Sequence, residues 1–166
     1  MPEIVQGGPY RIGTQVGPYT LESFLGAGAF KSVYRARHTD GETFALGFPH
    51  HQDDEGLEEI AKEFSASARL EHPNIVRTYS LERAGGVSFV VMEHLEGVSL
   101  RRRLREERCF APDEAVRIAG QIGEALAYAH SAKVLHRDVK PENIFLVGGQ
   151  TPKLLDFGVA RVLART

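Results

Sequence analysis

Four polar side chains late in the chain have types and spacing that could do chemistry. The segment 136–143 reads His-Arg-Asp-Val-Lys-Pro-Glu-Asn and contains Asp138, Lys140 and Asn143, and Asp156 opens an Asp-Phe-Gly triplet thirteen residues further on. A carboxylate such as Asp138 can accept the proton of a hydroxyl group, and Lys140 can offset negative charge that moves during a reaction. The oxygens of Asn143 and Asp156 are hard ligands of the kind that Mg²⁺ prefers. The pattern indicates proton transfer beside a bound divalent metal ion.

A glycine-bearing segment earlier in the chain is a second candidate. Residues 25–33 read Leu-Gly-Ala-Gly-Ala-Phe-Lys-Ser-Val and lie between two predicted strands. Glycine lets the backbone of such a hairpin approach phosphate groups closely. By themselves Gly26 and Gly28 are more typical of an ordinary turn. The spacing of this segment to the other motifs is what favours a phosphate-binding role for it.

Hydrophobic periodicity predicts the elements that must position these residues. Residues 1–18 are rich in Gly and Pro and are predicted to form a flexible leader, so that ordered structure begins at Tyr19. Alternating segments bounded by turn residues predict strands at the following ranges: 19–25, 33–37, 43–48, 75–82 and 87–93. Apolar residues at helical spacing predict a helix over 57–70, between the third and fourth strands. The first half of the chain is therefore predicted to be rich in strands.

After Gly97 the pattern changes from strand to helix. A short basic helix is predicted at 100–108, and a longer helix at 112–132 begins near Pro112, a residue that suits the first helical turn. Short apolar runs at 144–147 and 153–155 complete the readable structure. A strand-rich part followed by a helical part predicts two lobes, and ligands tend to bind where two lobes meet.

Composition limits the classes of function. Hydrophobic residues make up 42% and charged residues 25% of the 166 residues, as in soluble globular proteins. The formal net charge of −2 provides no general attraction to nucleic acid or to anionic membranes. Cys109 is the single cysteine, which excludes an internal disulfide and favours a cytoplasmic location. No segment approaches the roughly 20 consecutive apolar residues that span a bilayer.

From about Tyr19 to Arg161 the chain resembles eukaryotic-type protein kinase domains, and Lys140–Asn143 is similar to the serine/threonine branch. The resemblance implies an α+β, bilobal fold with a five-stranded antiparallel N-lobe sheet and one helix over 19–95. A truncated, mainly helical C-lobe over 96–166 follows and ends inside the activation segment. The implied reaction is transfer of the γ-phosphoryl group of ATP, with Mg²⁺, to a serine or threonine hydroxyl of a protein substrate.

The resemblance also implies a role for each candidate residue. Asp138 would receive the hydroxyl proton, Lys140 would offset the charge of the moving group, and Asn143 and Asp156 would hold the metal. Met92 would lie at the back of the adenine pocket. The residues assigned to nucleotide binding lie in the glycine-rich hairpin, the next strands, the hinge and the strand after the catalytic loop: Leu25, Gly26, Gly28, Lys31, Val33, Ala45, Met92, Glu93, Leu95 and Phe145.

The third predicted strand departs from the family pattern. A Val-Ala-Ile-Lys-like segment is expected there, and its lysine would bind ATP phosphates and pair with Glu63 of the helix. This chain has Gly47 in place of that lysine, and Lys31 stands where the third glycine of the hairpin is expected. The combination resembles the with-no-lysine (WNK) kinases, so Lys31 and Glu63 are predicted to act together at the catalytic site. The alternative that Lys31 points into solvent and that the site has decayed stays open.

Two classes of function also stay open. The chain could be an active kinase domain, or a pseudokinase module that binds nucleotide or a partner protein as a scaffold. Retention of Asp138, Asn143 and Asp156 favours catalysis. The end of the sequence eight residues after Gly158 favours the scaffold, because missing C-lobe helices would leave an apolar face of the helix 112–132 for a partner to cover. A chain truncated in this way could be inactive by itself.

Overall fold

A computed structural model describes residues 8–157 and the backbone of residues 161–162. The start of the expected leader, at 1–7, and Gly158 of the Asp-Phe-Gly triplet lie outside the described residues. The chain divides into two compact units. The first takes the chain up to Phe64 together with Thr78–His94, and the second takes Ser65–Arg77 and the chain from Leu95 onward.

The first unit is built on an antiparallel sheet with the strand order β1-β2-β3-β4-β6-β5. Its strands have these bounds: β1 Gln15–Val16, β2 Tyr19–Ala27, β3 Lys31–His38, β4 Thr43–Pro49, β5 Thr78–Ala84 and β6 Val87–Glu93. The five longer strands confirm the predicted sheet, and β1 is an additional two-residue edge strand. Because of β1, the predicted third strand is β4. The turn between β3 and β4 is the Asp-Gly pair, where Gly41 has a φ of 95° that suits glycine.

The single helix of this unit, α1, spans Asp54–Ser67 rather than 57–70. It begins earlier because Asp53 caps it: the Asp53 Oδ1 atom accepts a hydrogen bond of 3.0 Å from the backbone N–H of Gly56. Asp54 and Glu55 then place negative charge in the first turn, where the helix dipole favours it. Side-chain capping, rather than the apolar spacing alone, sets this boundary.

The two faces of the sheet carry two separate cores, because successive residues of a strand point to opposite sides. One face holds an aromatic cluster in which Tyr34, Phe48 and Phe89 are fully buried. The other face holds Ala45, Val90 and Met92, which pack with Ile60 of α1. The sheet therefore offers α1 only one of its two faces.

The expectation that ordered structure begins at Tyr19 is wrong for the described part of the leader. Val16 is buried, and the N–H of Gly13 and the C=O of Thr14 pair with Leu21. The ring of Tyr10 packs on Phe48 with a centroid distance of 4.6 Å. Glycine and proline are frequent in this segment, yet an aromatic anchor and strand pairing order it, which composition alone does not reveal.

The second unit holds the remaining helices and three short ladders. Its elements have these bounds: β7 Gly97–Ser99, α2 Leu100–Glu107, α3 Pro112–Ser131, β8 Val134–Leu135, β9 Ile144–Val147, β10 Thr151–Leu154 and β11 Arg161–Val162. β9 pairs with β10 and with β7, and β8 pairs with β11, in each case antiparallel. The buried side of α3 packs with Leu70, Ile75 and Leu154 in one core. Within the described residues no helix combines the length and apolarity needed to cross a membrane.

Residues 75–77 are not part of the strand predicted over 75–82. Ile75 instead forms an isolated parallel bridge with Leu154, and the N–H of Val76 donates to Leu154 O at 3.0 Å. Asn74 adds a buried side-chain hydrogen bond of 2.8 Å to Pro152 O. The segment before β5 thus pairs with β10, which leads directly to Asp156.

We expect Tyr10→Ala to lower the free energy of unfolding by about 1–2 kcal/mol, because the ring of Tyr10 loses its contacts with Phe48 and Tyr34. Chemical denaturation measures this change. Ile12→Ala is the matched control, since Ile12 is 49% exposed and its truncation should change stability by less than about 0.5 kcal/mol. Equal effects of the two substitutions would contradict an anchoring role for Tyr10.

Candidate active site

Lys31, the first residue of β3, points inward. Lys31 and Glu63 are each 8% exposed, and the Lys31 Nζ atom forms an ion pair and hydrogen bond with the Glu63 Oε1 atom. Each buried charge needs such a partner, because burial removes the water that would otherwise solvate it. The alternative in which Lys31 faces solvent is therefore not the arrangement in this structure.

Strand register explains how Lys31 reaches the helix. Residues directly opposite each other in an antiparallel ladder point to the same face. Val33 lies opposite Gly47, and Gly47 lies opposite Val90. These residues of β3, β4 and β6 therefore point to the same face of the sheet, the face that α1 covers. Lys31 is two residues before Val33 and shares that face with it. Because α1 packs on the same face, the Lys31 ammonium meets Glu63 there.

Three residues predicted to bind the nucleotide form an apolar surface on this face. Ala45 lies opposite Met92 in the ladder, with exposures of 6% and 8%. Val33 is partly buried and packs against the cluster that contains Ala45 and Met92. An apolar wall beside a few polar groups is the usual composition of a small-molecule site.

The glycine-rich hairpin connects β2 and β3 beside Lys31. Gly26 has a φ of 156°, and the N–H of Gly28 donates to the C=O of Lys31 at 2.9 Å. Leu25 and Phe30 are exposed by 48% and 43%, so the hairpin presents apolar side chains to its surroundings. Such a hairpin can cover a phosphate-bearing ligand.

The catalytic-loop segment of the second unit is tied together by short polar contacts. The Asp138 Oδ2 atom accepts hydrogen bonds from Lys140 Nζ at 2.9 Å and from Asn143 Nδ2 at 3.0 Å. Asn143 Nδ2 also donates to the backbone C=O of Asp138 at 2.9 Å. The hydrogen bond from Lys140 is the main reason that the pKa of Asp138 lies below its ordinary value, and the same contact raises the pKa of Lys140. These contacts favour the ionised form of Asp138.

His136 is a positioning residue that lies outside the predicted set of catalytic, nucleotide-binding and metal-binding residues. It is 1% exposed, its Nε2 atom lies 2.6 Å from Leu155 O, and its Nδ1 atom accepts the N–H of Asp138 at 3.2 Å. Both contacts are satisfied by a neutral ring protonated at Nε2. Burial lowers the pKa of His136, which favours that neutral form. The sequence signal was its place directly before Arg137 and Asp138.

The two candidate metal ligands lie at one end of the β9–β10 hairpin. Asn143 directly precedes β9, Asp156 follows β10 by two residues, and the N–H of Leu155 donates to Asn143 O at 2.8 Å. The amide nitrogen of Asn143 is directed to Asp138, so its carbonyl oxygen is the atom suited to coordinate a cation. A carboxylate and an amide oxygen are the hard ligands that Mg²⁺ takes from a protein when phosphates supply others. The donor set fits the metal.

Strained backbone marks the same region. Arg137 and Asp156 have φ angles of 67° and 58°, in the left-handed region that non-glycine residues rarely adopt. Such conformations occur most often at functional sites, where surrounding contacts hold them in place. Here His136 directly precedes Arg137 in the chain and contacts Leu155 O, in the residue before Asp156.

The remaining predicted nucleotide residues lie on other elements. Glu93 ends β6 in the first unit, and Leu95 follows it at the start of the second. Phe145 lies in β9, opposite Lys153 and Ser99. In the first unit the structure brings together the ion pair and the apolar wall, which are formed by Lys31, Glu63, Val33, Ala45 and Met92. In the second unit it gathers the residues of the catalytic loop and the metal motif, namely Asp138, Lys140, Asn143 and Asp156.

We expect Lys140→Met to raise the pKa of Asp138 toward the ordinary aspartate value of about 3.9. The sign follows because the substitution removes a hydrogen bond and a positive charge that both favour the ionised form. The chemical shift of the Asp138 carboxyl carbon, followed by NMR during acid titration, measures the midpoint. Lys133→Met is the control and should leave the midpoint unchanged, since Lys133 is exposed and is not among the groups that shift the pKa of Asp138. A midpoint that does not move in Lys140→Met would contradict the assigned contact.

Comparison with known proteins is consistent with this geometry. The chain is 34% identical over 154 residues to serine/threonine-protein kinase PrkC of Bacillus subtilis, covering 90% of this chain and 24% of PrkC. It is 37% identical over 155 residues to serine/threonine-protein kinase PknD of Mycobacterium tuberculosis, covering 91% and 23%. It is 38% identical over 162 residues to serine/threonine-protein kinase PkaA of Streptomyces coelicolor, covering 87% and 30%. The chain therefore spans between about a quarter and a third of these relatives.

A family model described as the protein kinase domain matches residues 19–166. The matched range contains the glycine-rich hairpin, the Lys31–Glu63 pair, the catalytic loop and the Asp-Phe-Gly triplet. Sequence and structure agree, and the chain belongs to the protein kinase domain family.

Proposed function

We propose that this domain transfers the γ-phosphoryl group of ATP to serine or threonine hydroxyls of protein substrates, and that Lys31 is its phosphate-binding lysine. The observation that carries the proposal is the buried ion pair between Lys31 and Glu63. A lysine held by this helix glutamate is what the reaction requires to secure the ATP phosphates. The WNK-like placement of the lysine in the hairpin accounts for its absence at position 47.

The residues of the second unit supply the other groups that phosphoryl transfer needs. Asp138 accepts the proton of the substrate hydroxyl, and its lowered pKa keeps it ionised for that role. Lys140, 2.9 Å from Asp138, offsets charge on the transferred group. Asn143 and Asp156 would hold Mg²⁺, which would supply positive charge to the phosphates of ATP. These are the residues that the mechanism assigns to catalysis and metal binding.

The rival function is a pseudokinase scaffold that does not transfer phosphate. The inward orientation of Lys31 and the intact contacts of Asp138 favour catalysis, because a decayed site would not need to keep both. A partner that covers the exposed side of α3, where Val116 is 72% exposed, stays a prediction. We also propose that the domain works in the cytoplasm, where ATP is available.

Lys31→Met should weaken ATP binding or lower kcat/KM by roughly 10- to 150-fold, because a buried charge-assisted contact contributes about 1.5–3 kcal/mol. Isothermal titration with ATP and a phosphorylation assay on a generic protein substrate measure the two quantities. The matched control is Lys62→Met: Lys62 precedes Glu63 on α1, but its side chain is 68% exposed and forms an ion pair with Glu58, which is itself exposed. Its loss should change either quantity by less than about fivefold. If Lys31→Met equals the unmodified protein in both affinity and rate, Lys31 is not the phosphate-binding lysine.

Asp156→Ala should abolish the strengthening of ATP binding by Mg²⁺ while leaving the metal-free affinity little changed. The reason is that Asp156 supplies the carboxylate at the metal, whereas ATP without metal does not need it. Titration of ATP with and without Mg²⁺, in both proteins, gives the four affinities required. ATP binding that ignores Mg²⁺ in the unmodified protein would support the pseudokinase function instead.

A further inference from the structure

The side chain of Lys31 passes over the one position of β4 on this face that has no side chain. A Cβ atom placed on Gly47 would lie 3.3 Å from Lys31 Cδ, 3.9 Å from Lys31 Cε and 3.2 Å from Met92 Cε. The lysine stem and the tip of Met92 therefore already fill the space that a residue at position 47 would occupy.

Backbone geometry does not account for this glycine. Gly47 lies within β4, opposite both Val33 and Val90, and its φ lies outside the left-handed region that favours glycine. Glycine inside a strand weakens the strand, because it costs more conformational entropy and packs no side chain. A different physical reason must balance this cost, and the three heavy atoms nearest to the missing Cβ belong to the side chains of Lys31 and Met92.

We propose that Gly47 is a positioning residue whose missing side chain lets Lys31 reach Glu63. The inference rests on the proposed function of Lys31 and adds the condition that the residue at position 47 must leave space for the lysine side chain. Two lysine placements are then mutually exclusive in this chain. A lysine introduced at position 47 would compete with Lys31 for the same space and for the single carboxylate of Glu63, so restoring the residue usual in the family would not raise activity.

The steric requirement is graded by the size of the residue at position 47. Alanine adds one methyl group at 3.2–3.3 Å from the flexible ends of Lys31 and Met92, which can move by a few tenths of an ångström. Valine adds two more methyl groups beyond that Cβ and must displace the lysine stem. Valine is also a better strand former than glycine. A merely structural role for Gly47 therefore predicts no loss of activity, whereas the positioning role predicts a large one.

The test is a double-mutant cycle between positions 31 and 47, with ATP affinity and kcat/KM as readouts. Gly47→Val is expected to lower kcat/KM by roughly 10- to 100-fold, close to the effect of Lys31→Met, whose buried contact sets the scale. In the Lys31→Met background, Gly47→Val should cost less than about threefold more, because the side chain it displaces has already lost its charge. Gly47→Ala should stay within about threefold of the unmodified protein and serves as the conservative rescue.

Additive losses in the cycle would overturn the proposal, since they would mean that valine acts on ATP directly and not through Lys31. Full activity of a folded Gly47→Val protein would overturn it as well. If Lys31→Met alone has no effect, the proposed role of Lys31 fails; if Lys31→Met has its effect and Gly47→Val does not, only this inference fails. Thermal melting shows whether Gly47→Val is folded. If it is not, Gly47→Lys replaces it, and activity equal to or above that of the unmodified protein overturns the proposal.

Discussion

The buried ion pair between Lys31 and Glu63 is the constraint on which the first unit depends. Lys31 and Glu63 are each 8% exposed, and the ion pair helps to replace the water that each charge has lost on burial. The pair links the start of β3 to the middle of α1, so it ties the helix to one face of the sheet. Removing either partner would take the ion-pair partner away from a charge that stays buried, and such a loss is typically larger than the net contribution of the pair itself. The contact therefore connects stability with the proposed binding of ATP phosphates.

Strand alternation separates the two tasks of the sheet. The aromatic cluster on one face, with Tyr34 and Phe48 at its centre, holds the strands together and is covered at one end by Tyr10. The opposite face carries Lys31 and the apolar wall that includes Met92. A one-residue slip of β3 against β4 would exchange the two faces and bury the wrong set of side chains. The large aromatic core keeps the register, and the register keeps the lysine inward.

In the second unit, His136 in its neutral form holds the backbone of the candidate site in place. His136 contacts the backbone on both sides of the candidate site, at Asp138 and at Leu155. Its ring also packs against Phe157 at a centroid distance of 4.7 Å. A protonated ring would place a second N–H against the Asp138 N–H and lose an acceptor, so the lowered pKa of His136 preserves the arrangement. The loop that carries the candidate proton acceptor and a candidate metal ligand is thereby held by a group whose neutral form is favoured by burial.

The sequence by itself determined the family, the five longer strands, the helices and the candidate residues of the catalytic loop, because these depend on local periodicity and on motifs read along the chain. It left open whether Lys31 faces inward, since side-chain direction there depends on the register of β3 against β4. Tertiary structure decided that question, and it also ordered the segment around Tyr10 and drew Ile75 away from β5. Each of these outcomes comes from contacts between residues far apart in the chain, whose energies no local pattern contains.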